Sequence, residues 1–227
     1  MRKRLETIAE MIPDGRGVVD VGTDHGYLPV WLSQRGYTGL LYASDVNAAP
    51  LEAARKTARE AAQENRIRFL LCDGLDDCPP ELIDTIVIAG MGGDLICRIL
   101  DRAEWCLDSA YTLLLQPMTK AEVLRYWLVN NGFSLQEERL VREGGIIYQI
   151  IKAVFSDHMP LTDAELFAGA FPNIRREELC AEWLDSLIER FSKEEKGLLS
   201  AETVNEGRLS ICRNTLRQLI EMRGKVT

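Results

Sequence analysis

GVVDVGTDHGYLP, residues 17–29, decides the fold. Its first five residues are an apolar run of the length of a buried strand, broken only by Asp20. Gly22 and Gly26 punctuate a turn, and YLPVWLSQRG (27–36) continues as a helix that tolerates Pro29 in its first turn. Strand, glycine turn and helix in this order form the ligand-binding corner of an open parallel sheet. Asp20, Gly22 and Gly26 fall where a D-x-G-x-G-x-G nucleotide loop would put them, but the middle position is Asp24.

Outward from this corner the alternation continues. Residues 2–12 repeat apolar positions at helical spacing and stop at Pro13-Asp14-Gly15. Strands are predicted at 40–46, 67–75, 85–93 and 111–117, with helices at 50–65, 95–105 and 120–132 between and after them. Strands apolar on both faces that alternate with helices predict a doubly wound, mostly parallel Rossmann-like α/β sheet. Residues 133–155 change rhythm, with two extended runs parted by Gly144-Gly145, and predict an antiparallel edge hairpin. After Phe155, Pro160 and Pro172 mark a connecting segment. Cys180, Leu184, Leu187 and Phe191, then Leu209, Cys212, Leu216 and Leu219, predict a helical hairpin of coiled-coil type joined around 192–205. The expected division is residues 1–155 and 156–227.

The chain has 227 residues, 46% hydrophobic and 27% charged, and no apolar run long enough for a membrane span. Six scattered cysteines lack a C-x-x-C pair, and only His25 and His158 could add imidazole ligands. Free thiols and no zinc or other metal are expected, and with no signal peptide read, a cytoplasmic location. A net charge of -8 argues against a generic nucleic-acid binder. Local clustering matters more than the total: Arg2-Lys3-Arg4 at the start, and Arg208, Arg213, Arg217, Arg223 and Lys225 near the end, are either solvated helix faces or phosphate grips.

Ligands of such sheets bind beyond the carboxyl ends of the strands. Four predicted ends are polar or glycine-rich: Asp20 to Gly26, Asp45-Val46, Asp73-Gly74-Leu75, and Gly90-Met91-Gly92-Gly93. Asp45 lies where an acid would meet a ribose diol. Asp73-Gly74 is either a plain turn or the wall that reads an adenine edge. Gln116-Pro117 closes the last parallel strand as a candidate substrate contact, and His25 is as consistent with a structural role as with a chemical one. Asp24 separates two ligand classes. Phosphates brought to this turn would face a carboxylate, a repulsion of about 4 kcal/mol at ~4 Å and an effective dielectric of ~20. S-adenosyl-L-methionine has no phosphate and carries a sulfonium and an ammonium, so an acid here suits it and disfavours NAD. The alternative is a turn aspartate that caps the following helix.

DVGTDHGYLP, ASDVNAAPLEAA, CDGL, DTIVIAGMGG, LLLQP, LRYWLVNNGF and GGIIYQIIKA occur in the order seen in the bacterial tRNA (adenine-22-N1)-methyltransferases, which the chain resembles over about residues 4–155. The resemblance implies a class I S-adenosylmethionine-dependent fold that methylates N1 of an adenine in the D-arm region of tRNA. Gly22, Asp24, His25, Gly26, Asp45, Val46, Asp73, Gly74, Leu75, Gly90 and Met91 would hold the cofactor, and Gly92, Gly93, Gln116 and Pro117 the substrate. Asp24 and Tyr27 are the catalytic candidates. The basic N-terminal residues or the basic last helix would grip tRNA. The oligomeric state is left open, with a monomer favoured. A methyltransferase of a small molecule or protein, and a non-catalytic S-adenosylmethionine-binding module, are the competing readings.

Overall fold

The computed structural model describes all residues except 1, 158, 202, 204 and 227, so His158 lies outside the described residues. A first helix, α1 (Lys3–Met11), leads into β1 (Gly17–Val21), α2 (Tyr27–Gln34), β2 (Leu40–Asp45), α3 (Ala48–Glu60), β3 (Ile67–Leu71), β4 (Thr85–Gly92), α4 (Gly93–Arg102), β5 (Thr112–Thr119) and α5 (Ala121–Asn130). The hairpin β6 (Phe133–Glu143) and β7 (Ile146–Phe155) follows. One seven-stranded sheet results, in the order β3-β2-β1-β4-β5-β7-β6. The first five strands are parallel, and β7 slots antiparallel between β5 and β6.

Side-chain alternation explains why these strands read as continuous apolar runs. Val19, Ile86, Ile88, Leu113 and Leu115 enter the cluster on one face, whereas Val18, Val87 and Leu114 enter the cluster on the other. Both faces of the central strands are covered, so β1 is buried along its whole length, β2 and β5 along most of theirs and β4 over its first half, whereas the edge strands β3 and β6 keep exposed positions. Gly144 and Gly145 both have positive φ, 59° and 81°, the requirement of a two-residue hairpin turn matched to strand twist.

Beyond β7 the connecting segment is more ordered than expected. It contains α6 (Asp163–Ala168) and α7 (Phe171–Ile174). Thr162 and Glu165 open α6 with a reciprocal capping box. The predicted helical pair is present as α8 (Cys180–Leu199) and α9 (Glu206–Arg223), so α8 runs past the expected joint and the connection shortens to 200–205. Cys180, Leu184, Leu187 and Phe191 share one buried cluster with Cys212 and Leu219, which also takes in Leu140 of β6 and has Leu216 packed against it; Leu209 is buried as well.

The helices are therefore fastened to the sheet. Arg125 of α5, fully buried, pairs with Glu138 of β6 at 2.8 Å and donates to the Leu166 carbonyl at 2.9 Å. The other Glu138 oxygen accepts from the Ala170 backbone N–H at 2.6 Å. A fully partnered ion pair is tolerated in the interior, whereas half of one is not.

Candidate active site

Strand register gathers the predicted loops at one end of the sheet. Val21 pairs with Ser44 and with Ile88, Asp45 with Leu71, and Ala89 with Gln116. The chain thus leaves the sheet side by side after β1, β2, β3 and β4. There a cavity of about 380 Å³ is lined by Asp20, Gly22, Asp24, Tyr27, Asp45, Gly90, Met91 and Gln116, with Arg2 and Arg4 of the N-terminal segment.

The glycine loop keeps its backbone shape despite the missing glycine. Gly22, Asp24 and Gly26 have φ of 70°, 52° and 68°. Asp24 therefore occupies the left-handed conformation that the absent glycine would adopt, and aspartate tolerates that region better than most side chains. Gly26, not Asp24, is the N-cap of α2, and no side chain caps that helix. The Asp24 carboxylate is free of the capping role; its recorded neighbour is the His25 imidazole, at 3.6 Å. A Cβ on Gly22 would overlap the Met91 methyl, and one on Gly26 would come within 2.9 Å of Ala54 Cβ. The loop is thus pressed between β4 and α3.

Two further acids floor the cavity. Asp20 is buried and accepts a 2.6 Å hydrogen bond from the Thr23 hydroxyl. Burial pushes its pKa up to about 6; the Thr23 bond works against that rise and the charge of Asp45 adds to it. One oxygen of Asp45 accepts from the Asn47 backbone N–H at 2.8 Å, and the other has no protein donor among the described residues. Buried acid, nearby acid and the free Asp24 carboxylate suit a ligand that brings positive charge. The ammonium and sulfonium of S-adenosyl-L-methionine meet that requirement; a pyrophosphate does not.

Other predicted residues lie apart from this cavity or act differently. The Asp73 carboxylate and carbonyl are both engaged by Arg102, each at 2.9 Å, and that bond holds the carboxyl below its ordinary pKa. Gly74 has φ of 65° beside it. Leu75 was expected at the adenine wall, but its side chain is in the core at 1% exposure, which leaves its backbone alone to reach a ligand. Val46 and Leu71 are the exposed apolar side chains at these strand ends, at 58% and 60%. Gly92 is the N-cap of α4, and a Cβ on Gly93 would overlap the Lys120 carbonyl. Close backbone packing is enough to require glycine at position 93.

Gln116 is likewise committed. Its side-chain oxygen accepts from Arg4 at 2.7 Å and from the Gly90 N–H at 3.2 Å, while its amide donates to the Pro117 carbonyl at 2.9 Å. It holds the glycine turn of β4 against α1. Arg4 is fixed in turn by Glu143 at 3.1 Å and by the face of Tyr148 at 4.3 Å. Pro117 lines a different cleft, with Tyr148 and Arg190. His25 stacks on Tyr27 at 5.4 Å, both exposed at the cavity mouth.

Sequence reasoning passed over Thr23 and Leu71, named Asp20 only as the start of the glycine loop, and gave Arg4 to a basic segment that would grip phosphates, whereas its guanidinium is held by Glu143 and Gln116. The three-residue spacing of Asp20 and Thr23 in a turn was a usable signal. Arg4 and Gln116 are 112 residues apart and left none. Among the described residues no group of three or more His, Cys, Asp or Glu could hold a metal ion, and no helix is long and apolar enough to cross a membrane. All six cysteines are free and buried, and burial pushes the Cys97 and Cys106 thiols up to about 11.

A seven-stranded sheet with an antiparallel final hairpin and an acid-floored cavity at its strand ends defines a methyltransferase: the methyltransferase-domain family model matches residues 1–151, and the chain belongs to that family. Within it, the chain is similar to the tRNA (adenine(22)-N(1))-methyltransferase of Bacillus subtilis, 32% identical over 157 residues. That match covers 69% of this chain and 66% of the relative, just under two thirds of the relative's length. The crystal structure of the B. subtilis M1A22 tRNA methyltransferase superposes with a TM-score of 0.85 at 26% identity, covering 98% of each chain. A Streptococcus pneumoniae protein with a provisional tRNA (m1A22) methyltransferase name, solved with S-adenosyl-L-methionine, superposes at 0.82 with 28% identity, covering 98% of this chain and 99% of that one.

Proposed function

We propose that the protein methylates N1 of an adenine in tRNA, adenine 22, with S-adenosyl-L-methionine as methyl donor. The observation that carries this reading is the cavity where Asp20, Asp24 and Asp45 converge beside the Gly90-Met91 turn. Its three carboxylates suit a cationic donor, and the likeness to tRNA (adenine-22-N1)-methyltransferases supports the acceptor.

The bound donor supplies an electrophilic methyl group on a positively charged sulfur. Asp20 and Asp45 would hold its cationic and hydroxylated parts, while Val46 and Leu71 offer apolar surface to its base. Adenine N1 has an in-plane lone pair, so no proton need be removed before attack. As the new N–C bond forms and the donor's S–C bond breaks, the positive charge passes from sulfur to the ring. Asp24, exposed at the mouth and uncommitted to helix capping, would place a negative field where that charge develops. Tyr27, beside it, would orient the base. Gln116 keeps the Gly90 turn fixed under the reacting centre, a positioning role set by Arg4. Base pairing hides N1, so the target must enter unpaired or extruded.

The test is incubation of purified protein with unmodified tRNA and labelled S-adenosyl-L-methionine, followed by mapping of the modified nucleotide. Methyl at N1 of adenine 22 is expected. Methyl on another atom or position, or none on tRNA, overturns the reading.

A further inference from the structure

A second concavity adjoins the first. It is an open groove of about 470 Å³ along the outer face of α2, lined by Arg2, Tyr27, Val30, Trp31 and Gln34. Arg2 and Tyr27 line both, so the groove leads directly from the cavity mouth. Tyr27, Trp31 and Arg35 stand four residues apart and share a helix face. Arg35 lies over the Trp31 ring at 4.7 Å. No acid occurs between Asp24 and Asp45, although the whole chain carries -8. Among the described residues neither Arg2 nor Arg35 forms an ion pair, although the charge of Arg2 reaches the Glu143 carboxyl and Arg35 rests on Trp31.

The other basic cluster is spent internally. Arg208 pairs with Glu194 at 2.8 Å, Arg213 with Glu195 at 2.7 Å, Arg217 with Glu221 at 2.7 Å and Arg223 with Asp185 at 2.8 Å. Five acids and three bases on α8 face four arginines and two acids on α9, so the pair carries no net charge.

We infer that the α2 groove receives the RNA strand next to the target adenosine, with a flanking base on the Tyr27–Trp31 face and its phosphates at Arg2 and Arg35. This rests on the tRNA reading above. Aromatic faces beside guanidinium groups that form no ion pair suit a single strand, because every base has a π-face and every linkage a negative charge. The groove's continuity with the cavity fits a strand that must deliver one unpaired base to N1 chemistry. Specificity is not required of these contacts; they align the strand.

The experiment compares Trp31→Leu, which keeps an apolar side chain against the core, Arg35→Ser on the surface, and Arg213→Ser on α9, using unmodified tRNA and the full chain. Trp31→Leu and Arg35→Ser are expected to raise KM for tRNA about tenfold, the effect of losing one stacked base or its cation. Their kcat should stay within about twofold, and S-adenosyl-L-methionine affinity should not change. Arg213→Ser should behave as wild type. In parallel, tRNA carrying 4-thiouridine beside the target should cross-link to the peptide 25–35. Unchanged KM in Arg35→Ser and Trp31→Leu, or cross-links confined to α9, overturns the inference while leaving methylation by the wild type intact. Absence of any methyl transfer to tRNA by the wild type is instead the failure of the proposed function.

Discussion

The mouth of the sheet and the helical hairpin use the same residue type to opposite ends. On α9 four arginines are each held by a carboxylate of the hairpin itself, three of them across the α8–α9 seam or the interhelix face. At the mouth Arg2 and Arg35 form no ion pair among the described residues, while Asp20, Asp24 and Asp45 crowd a cavity without cations to balance them all. One region is electrostatically closed and contributes fixed geometry. The other is left open, and the charges it lacks are those a cationic donor and an anionic strand would bring.

The largest test of this contrast is the buried link between the two regions. Arg125→Met leaves Glu138 buried and short of its main partner, and is expected to cost about 3–5 kcal/mol in urea unfolding. The double change with Glu138→Leu should recover much of that loss. If the single change is neutral, the helical region is not anchored by this pair.

A somewhat smaller effect follows from Asp20. Its pKa rises from 3.8 to about 6 on folding, so between those values the folded state keeps a proton that the unfolded state has lost. Without cofactor, the contribution of Asp20 to stability is therefore most favourable below the unfolded value and is lost as pH rises through about 6, by about 3 kcal/mol in all. Asp20→Asn should remove that fall. Binding of the cationic donor should weaken in the wild type as pH drops through about 6, read by calorimetry, and show less change in Asp20→Asn. A flat profile in the wild type would separate Asp20 from the donor site.

Asp24→Asn should act on turnover. Asparagine keeps the left-handed backbone, so the change isolates charge from conformation. A fall in kcat of about 100-fold at saturating donor and tRNA is expected, in the range for losing one electrostatic contact to a developing charge. Near-normal kcat would reduce Asp24 to a binding residue.

Much of the fold was legible because its signals are local. Apolar runs at Val18-Val19, Ile86 to Ile88 and Leu113 to Leu115 announce strands buried on two faces, and Gly144-Gly145 announces a hairpin that needs two positive φ angles. Asp24 was singled out because it breaks a pattern, and its placement at the cavity agrees with that reading. The same logic cannot separate two causes at Gly93 and Leu75: a glycine or a leucine after a strand reads alike whether a ligand or the protein's own backbone and core sits against it. The segment 156–179 hid α6, six residues long, for want of periodicity.

By itself, then, the sequence determined the strand–turn–helix order, the glycine turns and the presence of acids at the strand ends, since each depends on neighbours a few residues away. Only the tertiary structure decided which charges are spent and which are free. Arg4 finds Gln116 across 112 residues, Asp20 is raised by burial beneath its own loop, and the arginines of α9 are matched by acids on α8. Charge acts through space, and folding chooses which charges come within its reach.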